Sequence, residues 1–442
     1  MTAQVMDTKP TKRFWWLFGI YAVICVGFAV FRKYPLRSDS LVYFTWASQT
    51  AQMHTWFPYP QTIYDPWLAS LFHVNLGALF LRIHNAPVTL HFLNAAANLT
   101  QLYLVYRLTL KFFGEQSAWI VAWMYVLYLN SLGLVVLNLS ELTFTACTLL
   151  CIWFYVQKPE FTWGLLSGLM AGFALGCRPL IVALLLVYGL VWLWTWRYKK
   201  RNNYTQLIGI VLGVFLFVVP MGMYSKSQTG QFVYSTTTGP INLLMSGFDG
   251  ATGVYNDSIL KNDSVYLSKK TFYEKGEYIQ ARAVQWIMSH PTKWFSFWPH
   301  KIKTTFVNDD IAISPLLGDP NWSFERFIKD ARLPRQQRQF WQQSLVYCAA
   351  FLAIHTFQFA YYLLLLGLWG YQLIYYWRRR HTAPLIVWII NGFTFLGFLM
   401  TYVGSQGNLR YKYPYLVISL ILFAPIVVFE KKLSRKNKEI TR

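Results

Sequence analysis

Two carboxylates stand next to long apolar segments of the chain, where an ionised side chain is costly to place. Asp39 follows the first such segment, and Glu141 opens another one further along. Only 18 of the 442 residues are Asp or Glu, so each acid near an apolar segment is a candidate for chemistry. A carboxylate held there can remove a proton from a hydroxyl or an amine. Structural roles also fit, because Asp39 lies between two serines typical of a helix N-cap and Glu141 suits the positive end of a helix dipole.

Three cations accompany these acids. Arg178 separates two apolar runs directly before Pro179, and Arg410 and Lys412 open the last apolar segment. A guanidinium binds phosphate through its planar fork of N–H donors. A base together with phosphate-binding cations suits the transfer of a group from a phosphate leaving group to a hydroxyl or an amine. For Arg410 and Lys412 the alternative is that long basic side chains simply reach the membrane interface.

Long apolar segments must position these residues. The chain is 55% hydrophobic and 13% charged, whereas soluble domains average about 25% charged residues. A run of about 20 apolar residues is long enough to cross a bilayer as a helix. The sequence therefore predicts an all-α polytopic membrane protein with about ten transmembrane helices. The predicted spans cover residues 14–31, 88–106, 116–134, 141–156, 163–177, 180–196, 206–224, 346–376, 384–403 and 413–430.

The distribution of Lys and Arg predicts the orientation of these spans. With both termini in the cytoplasm, most basic residues of the short loops fall on the cytoplasmic side. The acids and cations described above then all face the outer side. The outer segments 32–87 and 225–345 are too long to be plain connectors. We expect interfacial helices in them at 66–83 and 292–306, and a further helix at 273–289.

This pattern predicts a three-part organisation. An N-terminal transmembrane module covers residues 1–224 and includes the first outer loop with Asp39. Residues 225–345 form an outer-face region with interfacial helices, and residues 346–442 supply the C-terminal transmembrane helices and a basic cytoplasmic tail.

Charge and motif content argue against several classes of function. The net charge is +22, but the basic residues lie at helix ends and in one outer region. We therefore expect contact with a lipid bilayer and its anionic head groups, and no nucleic acid partner. No zinc-protease, P-loop or dinucleotide-binding motif is present, and the five cysteines have neither metal nor disulfide spacing. No residue is predicted to be a dedicated metal ligand.

The order of these features resembles the GT-C superfamily of membrane glycosyltransferases, close to the bacterial aminoarabinose transferases and protein O-mannosyltransferases. Each motif is short, and it is their order along most of the chain that carries the resemblance. The matching stretches are Arg37-Ser38-Asp39-Ser40, Tyr64-Asp65-Pro66-Trp67, Ser140-Glu141, Gly176-Cys177-Arg178-Pro179, Ala283-Val284-Gln285-Trp286-Ile287 before His290-Pro291, and Arg410-Tyr411-Lys412-Tyr413-Pro414.

The resemblance implies an inverting transferase that takes a sugar from a polyprenyl (undecaprenyl) phosphate on the outer face of the membrane. The lack of disulfide patterning and of an obvious retention signal favours a bacterial inner membrane, whose outer face is periplasmic. Asp39 is then the catalytic base and Glu141 assists it. The acceptor is a lipid, a glycan or a protein. Relatives differ in whether a divalent cation, Mg or Mn, takes part. The implied set of substrate- and phosphate-binding residues contains Arg178, Arg410, Tyr411, Lys412 and Tyr64.

Two departures from the family pattern change the expected contacts. Ser40 stands where relatives often have a second acid, which argues against a metal at this position. Asp65 stands where some relatives have a basic residue before the proline. Contact with the donor phosphate is therefore expected from Arg37 or Arg282 instead.

Two other functions fit the same layout. An O-antigen-type polymerase or ligase, which uses lipid pyrophosphate glycans, also has about ten spans and a large outer loop with arginines. The series of Asp39, Glu141 and Arg178 favours the sugar transferase over it. A lipid-linked sugar flippase or transporter needs polar groups along a path through the bilayer, whereas the middle of the predicted spans is almost free of charge.

Overall fold

The computed structural model describes residues 9–199, 203–245, 247–310, 312–319, 321–404 and 407–423. Within these ranges the regular structure is entirely helical, which confirms the all-α class. The helices up to residue 229 are α1 (Lys12–Phe31), α2 (Asp39–Gln52), α3 (Leu71–Leu81), α4 (Pro87–Phe113), α5 (Glu115–Val126), α6 (Leu129–Gly133), α7 (Ser140–Tyr155), α8 (Phe161–Cys177), α9 (Val182–Lys199) and α10 (Tyr204–Thr229).

The second half of the chain begins with short helices and ends with long ones. The short helices are α11 (Gly239–Leu244), α12 (Ser258–Lys261), α13 (Ser264–Ser268), α15 (Pro291–Ser296), α16 (Trp298–Phe306), α17 (Ile313–Leu317) and α18 (Phe324–Ala331), and among them lies the 18-residue helix α14 (Phe272–Ser289). The long helices are α19 (Leu345–Arg378) and α20 (Leu385–Gly404). A 3-10 turn at Leu409–Lys412 leads into a final helix described over residues 413–423.

Fewer helices than expected have the length and composition of a membrane span. Five do so among the described residues: α1, Pro179–Tyr198 (which contains most of α9), α10, α19 and α20. A sixth is counted if α5 and the segment Leu129–Val136, which meet at an angle of 55°, form one bent span. The membrane character of the chain is confirmed, but the expected number of ten spans is not reached by this standard.

The remaining predicted spans do not meet the criterion of length and apolar composition, and the reasons can be identified. The helix α4 has 27 residues, but its packed face contains the buried side chains of Asn94, Asn98 and Gln101, which lower its mean hydropathy. The helices α7 and α8 are apolar but have only 16 and 17 residues. The last predicted span, 413–430, extends past residue 423 and so lies partly outside the described residues.

The polar face of α4 connects the bent pair of helices, α5 and Leu129–Val136, to the final helix. Asn98 donates to the carbonyl of Ser131 over 3.0 Å, just after the bend. Gln101 accepts hydrogen bonds from the hydroxyls of Tyr125 (3.1 Å) and Tyr413 (3.0 Å). Backbone groups freed at a break in an apolar environment need such partners. The network therefore fixes the start of the final helix, directly after the turn that contains Arg410.

The helices α8 and α10 approach each other closely along two rows of glycine. A Cβ atom at Gly168 would lie 2.1 Å from the carbonyl oxygen of Ile210, and one at Gly164 would lie 2.2 Å from that of Gln206. Gly209 and Gly213 face them from α10. Small residues four apart allow backbones to touch, and van der Waals packing then holds the helices together in an apolar solvent. This contact positions the end of α8, directly before Arg178.

We expect Gly168→Leu to destabilise the protein by about 1–3 kcal/mol or more, because overpacking here must separate two backbones. Gly189→Leu is the matched control, because nothing lies within 4 Å of a Cβ atom at Gly189. Thermal unfolding of both variants in detergent checks this prediction, and equal melting temperatures would contradict it.

The segments predicted to form interfacial helices are helical, with adjusted limits. The segment 66–83 contains α3, which has 11 residues and is too short to cross a bilayer. The segment 273–289 corresponds to α14, which begins with a capping box formed by Thr271 and Glu274. The segment 292–306 is divided into α15 and α16. The helices α11 and α14 pack around a small apolar core of their own that includes Leu244, Met245 and Ala283.

Candidate active site

Four charged residues from distant parts of the chain meet at helix ends. Asp39 is the first residue of α2, Glu141 is the second residue of α7, and Arg178 follows the last residue of α8. Arg410 lies in the 3-10 turn before the final helix. All four are among the site residues predicted from the sequence, and the structure brings them into one network of ion pairs.

Glu141 is the buried member of this network. Its side chain is 1% exposed, and its Oε1 atom lies 2.6 Å from Nη2 of Arg178 and 3.5 Å from Nε of Arg410. Nε of Arg178 also donates to Oγ of Ser140 over 3.2 Å. The helix begins at Ser140, and Leu139 occupies the cap position. Glu141 thus holds two guanidiniums in place.

Asp39 is the accessible acid. Its Oδ2 atom accepts a hydrogen bond from Nη2 of Arg410 over 2.5 Å, and its side chain is 41% exposed. The cap position of α2 belongs to Ser38, whose side chain makes no capping hydrogen bond. The geometry therefore does not favour a purely helix-capping role for Asp39. Asp39 is therefore the acid that solvent can reach, whereas Glu141 is enclosed by protein.

The electrostatics keep Arg410 charged. Burial lowers the pKa of Arg410, but the carboxylates of Glu141 and Asp39 outweigh burial and hold this pKa above its usual value. Burial, followed by the nearby carboxylate of Asp39, raises the pKa of Tyr43, which lies on α2. Arg410 therefore stays protonated and Tyr43 stays neutral, so the two carboxylates share one guanidinium cation.

A buried histidine that sequence analysis did not select lies behind these acids. Nδ1 of His73 is 3.0 Å from Oγ1 of Thr143, and the imidazole lies 5.9 Å from the ring of Tyr43. Burial lowers the pKa of His73 to about 4, so the imidazole is neutral at pH 7. The signal available in the sequence was a histidine within the apolar run of α3, because such a run rarely accommodates a charged imidazolium.

The backbone before each acid adopts an uncommon conformation. Ser38 has φ of 50° and Asn138 has φ of 39°, a region that side chains other than glycine rarely occupy. Nδ2 of Asn138 donates to the carbonyl of Ser40 over 3.3 Å, which ties the two turns together. Strained residues of this kind persist where the surrounding structure holds them and are frequent at functional sites.

The other residues expected at this site are distributed differently. The guanidinium of Arg178 lies 5.9 Å from the ring centre of Tyr411, so Tyr411 joins the network. The backbone N–H of Arg37 donates to Oγ of Ser40 over 3.0 Å, which places Arg37 on the turn before Asp39. Tyr64 ends a 3-10 turn and is 65% exposed.

Two predicted phosphate-binding residues lie outside the network. Arg282, on α14, forms an ion pair with Asp263 beside a polar cavity of about 610 Å³ in the outer region. Lys412 is only two residues from Arg410 in the sequence, but its side chain is fully buried and points away from the network. Its Nζ atom donates to the carbonyls of Thr305 (2.7 Å) and Asn308 and lies 3.5 Å from Oδ1 of Asp309. The side chain of Lys412 thus attaches the turn to the end of α16.

We expect Lys412→Met to destabilise the fold by about 3–5 kcal/mol, because it leaves the buried carboxylate of Asp309 without its cation. Burial already lowers the pKa of Lys412 and raises that of Asp309, so each charge depends on the other. Lys329→Met is the control, since its pair with Glu325 is exposed and worth about 0–1 kcal/mol. Thermal unfolding distinguishes them, and equal melting temperatures for both variants would show that the buried pair is unimportant.

Comparison with solved structures identifies the architecture. The chain is similar to the Archaeoglobus fulgidus oligosaccharyltransferase in complex with Zn and sulfate, with a TM-score of 0.50 and 14% identity over 95% of this chain and 50% of that one. The same enzyme tethered to an acceptor peptide containing the NVT sequon gives a TM-score of 0.50 and 12% identity over the same shares. The chain has a GT-C fold.

The GT-C fold expected from the motifs is thereby confirmed. The chain spans about half the length of the archaeal structures it matches. ArnT from Cupriavidus metallidurans bound to undecaprenyl phosphate is also similar, with a TM-score of 0.40 and 12% identity over 94% of this chain and 78% of that one. No protein-family model and no curated protein matches the sequence.

The archaeal structure with this GT-C fold contains Zn, which raises the question of a metal site. Among the described residues of this chain, no group of three or more His, Cys, Asp or Glu side chains is arranged to hold a metal ion. Asp39 and Glu141 both contact the guanidinium of Arg410, which takes the position that a shared cation needs. These residues therefore do not fit a divalent cation.

Proposed function

We propose that this chain is an inverting glycosyltransferase that moves one sugar from a polyprenyl phosphate, such as undecaprenyl phosphate, to an acceptor on the periplasmic face of a bacterial inner membrane. One observation carries the proposal. An accessible carboxylate, Asp39, lies in the same ion-pair network as two guanidiniums, those of Arg178 and Arg410. This arrangement supplies a base for the acceptor and positive charge for a phosphate leaving group.

The proposed reaction proceeds in one displacement. Asp39 takes the proton of the acceptor hydroxyl or amine while the acceptor atom forms a bond to the anomeric carbon. The bond between that carbon and the phosphate oxygen breaks, and its electron pair leaves with polyprenyl phosphate. Attack opposite to the leaving group inverts the configuration of the anomeric carbon. Arg178 and Arg410 meet the charge on the departing phosphate, and Glu141 keeps both guanidiniums in place.

The proposed topology places this chemistry on the outer side. In addition to the five clear spans, we propose that α4, α7, α8, the bent pair and the final helix also cross the bilayer, which makes ten crossings. Both termini are then cytoplasmic, in agreement with the basic tail, whose residues lie outside the described ranges. All four charged residues of the network share the opposite face. The acceptor, a lipid, a glycan or a protein, approaches from the periplasm.

A donor assay tests the proposal. Purified protein is incubated with a panel of polyprenyl phosphate sugars and with a lipid pyrophosphate oligosaccharide, and released lipid phosphate is measured by mass spectrometry. We expect release from a polyprenyl phosphate sugar that requires Asp39. Release from the pyrophosphate donor alone would establish a polymerase or ligase instead. Movement of lipid-linked sugar across liposomes without release would establish a flippase.

A further inference from the structure

Arg410 has the position of a shared cation within the network. Its Nη2 atom lies 2.5 Å from Oδ2 of Asp39 and its Nε atom lies 3.5 Å from Oε1 of Glu141. Two carboxylates from different helices thus converge on one guanidinium. The buried side chain of Lys412 fixes the turn that carries Arg410 by donating to the carbonyl of Thr305 near the end of α16. Arg410 is therefore held between the acids by the fold itself.

The geometry and the charge of this arrangement are those of a site already occupied by a cation. A magnesium ion needs oxygen ligands at about 2.0–2.1 Å in near-octahedral order. The guanidinium of Arg410 stands between the two carboxylates that could provide such ligands. Arg178 adds a second positive charge on Glu141 at 2.6 Å, so two guanidiniums balance two carboxylates. A divalent ion placed here would meet two positive charges at close range, which disfavours its binding.

We propose that Arg410 is the resident cation of the active site and replaces a divalent metal in this GT-C fold. The inference deepens the proposed function, since Arg410 and Arg178 then supply positive charge that balances the departing phosphate. A guanidinium suits this task because its N–H donors bind two oxygens of one phosphate and its charge persists at any physiological pH. Sugar transfer then needs no divalent ion.

Binding of Mn²⁺ tests the inference without reference to activity. Full-length protein is stripped with a chelator, then titrated with MnCl2, and bound metal is measured by electron paramagnetic resonance. We expect no Mn²⁺ bound at the site in the wild-type protein. Arg410→Met leaves Asp39 and Glu141 facing each other, and we expect this variant to bind about one Mn²⁺ per chain through carboxylate ligands. Adding Asp39→Asn to Arg410→Met should abolish that binding.

Two outcomes would overturn the inference. Stoichiometric Mn²⁺ binding by the wild-type protein that is lost in Asp39→Asn would show that a metal binds beside Arg410. Lack of binding by a folded Arg410→Met protein would show that Arg410 does not occupy a cation position. Arg410→Lys, which keeps the charge, serves as the folding control and should remain free of Mn²⁺. Failure of the donor assay would leave these binding results unchanged, so the two proposals are tested separately.

Discussion

Asp39→Asn is expected to reduce the rate of sugar transfer by about 10²–10⁴-fold, the usual contribution of a positioned general base. Asparagine has nearly the same size and still accepts a hydrogen bond from Arg410, but an amide cannot take up the acceptor proton. Because the side chain of Asp39 is 41% exposed and lies at a helix start, we expect little change in the melting temperature. Rate loss without loss of stability is therefore the specific signature of a base.

The measurement compares single-turnover rates and melting temperatures for two variants. Asp249→Asn is the matched control, because Asp249 also pairs with a cation, Lys293, but lies elsewhere in the outer region. We expect the control to keep wild-type activity. A wild-type rate in Asp39→Asn would remove the base assignment and leave Asp39 with the sole role of holding Arg410.

Arg178→Met is expected to have the second large effect, on activity and on stability together. Removal of one charge-stabilising donor typically costs about 10²–10³-fold in rate. Glu141 is 1% exposed, so loss of its closest cation leaves a buried carboxylate poorly compensated and should destabilise the fold by about 3–5 kcal/mol. These two consequences have different origins and can be separated.

The double variant Arg178→Met with Glu141→Gln separates them. The neutral amide needs no cation, so we expect the melting temperature to recover toward that of the wild type. Activity should remain low, because the leaving phosphate still lacks the guanidinium of Arg178. Recovery of activity together with stability would mean that Arg178 acts only as a structural partner of Glu141, and its role at the phosphate would be withdrawn.

Local sequence patterns predicted individual elements well. The helix α14 was expected at 273–289 and is found at Phe272–Ser289, where Thr271 and Glu274 form the capping box. Composition indicated helices in membrane, and the order of short motifs indicated the GT-C fold. These features depend on residues close together in the chain. The expected span at 88–106 does not meet the hydropathy criterion, because the packed face of α4 contains buried polar side chains.

Local sequence patterns could not predict the ion-pair partner or the burial of each charged residue. Arg410 and Lys412 looked equivalent in the sequence, since both are basic and both precede the final apolar segment. In the structure Arg410 reaches Asp39, 371 residues away, whereas Lys412 is buried against Asp309. Arg282 likewise pairs with Asp263 rather than with the network.

Composition and local motifs were enough to predict a helical membrane protein and to select the four charged residues of the candidate site. The pairing of each cation with an acid, the burial of Glu141 beside an accessible Asp39, and the sharing of one guanidinium by both acids became visible only in the folded chain. The difference lies in the distance along the chain over which each interaction acts. Helix formation depends on side chains within a turn or two, whereas ion pairing depends on how helices pack, and here that packing is set by glycine contacts, a polar face on α4 and the buried Lys412.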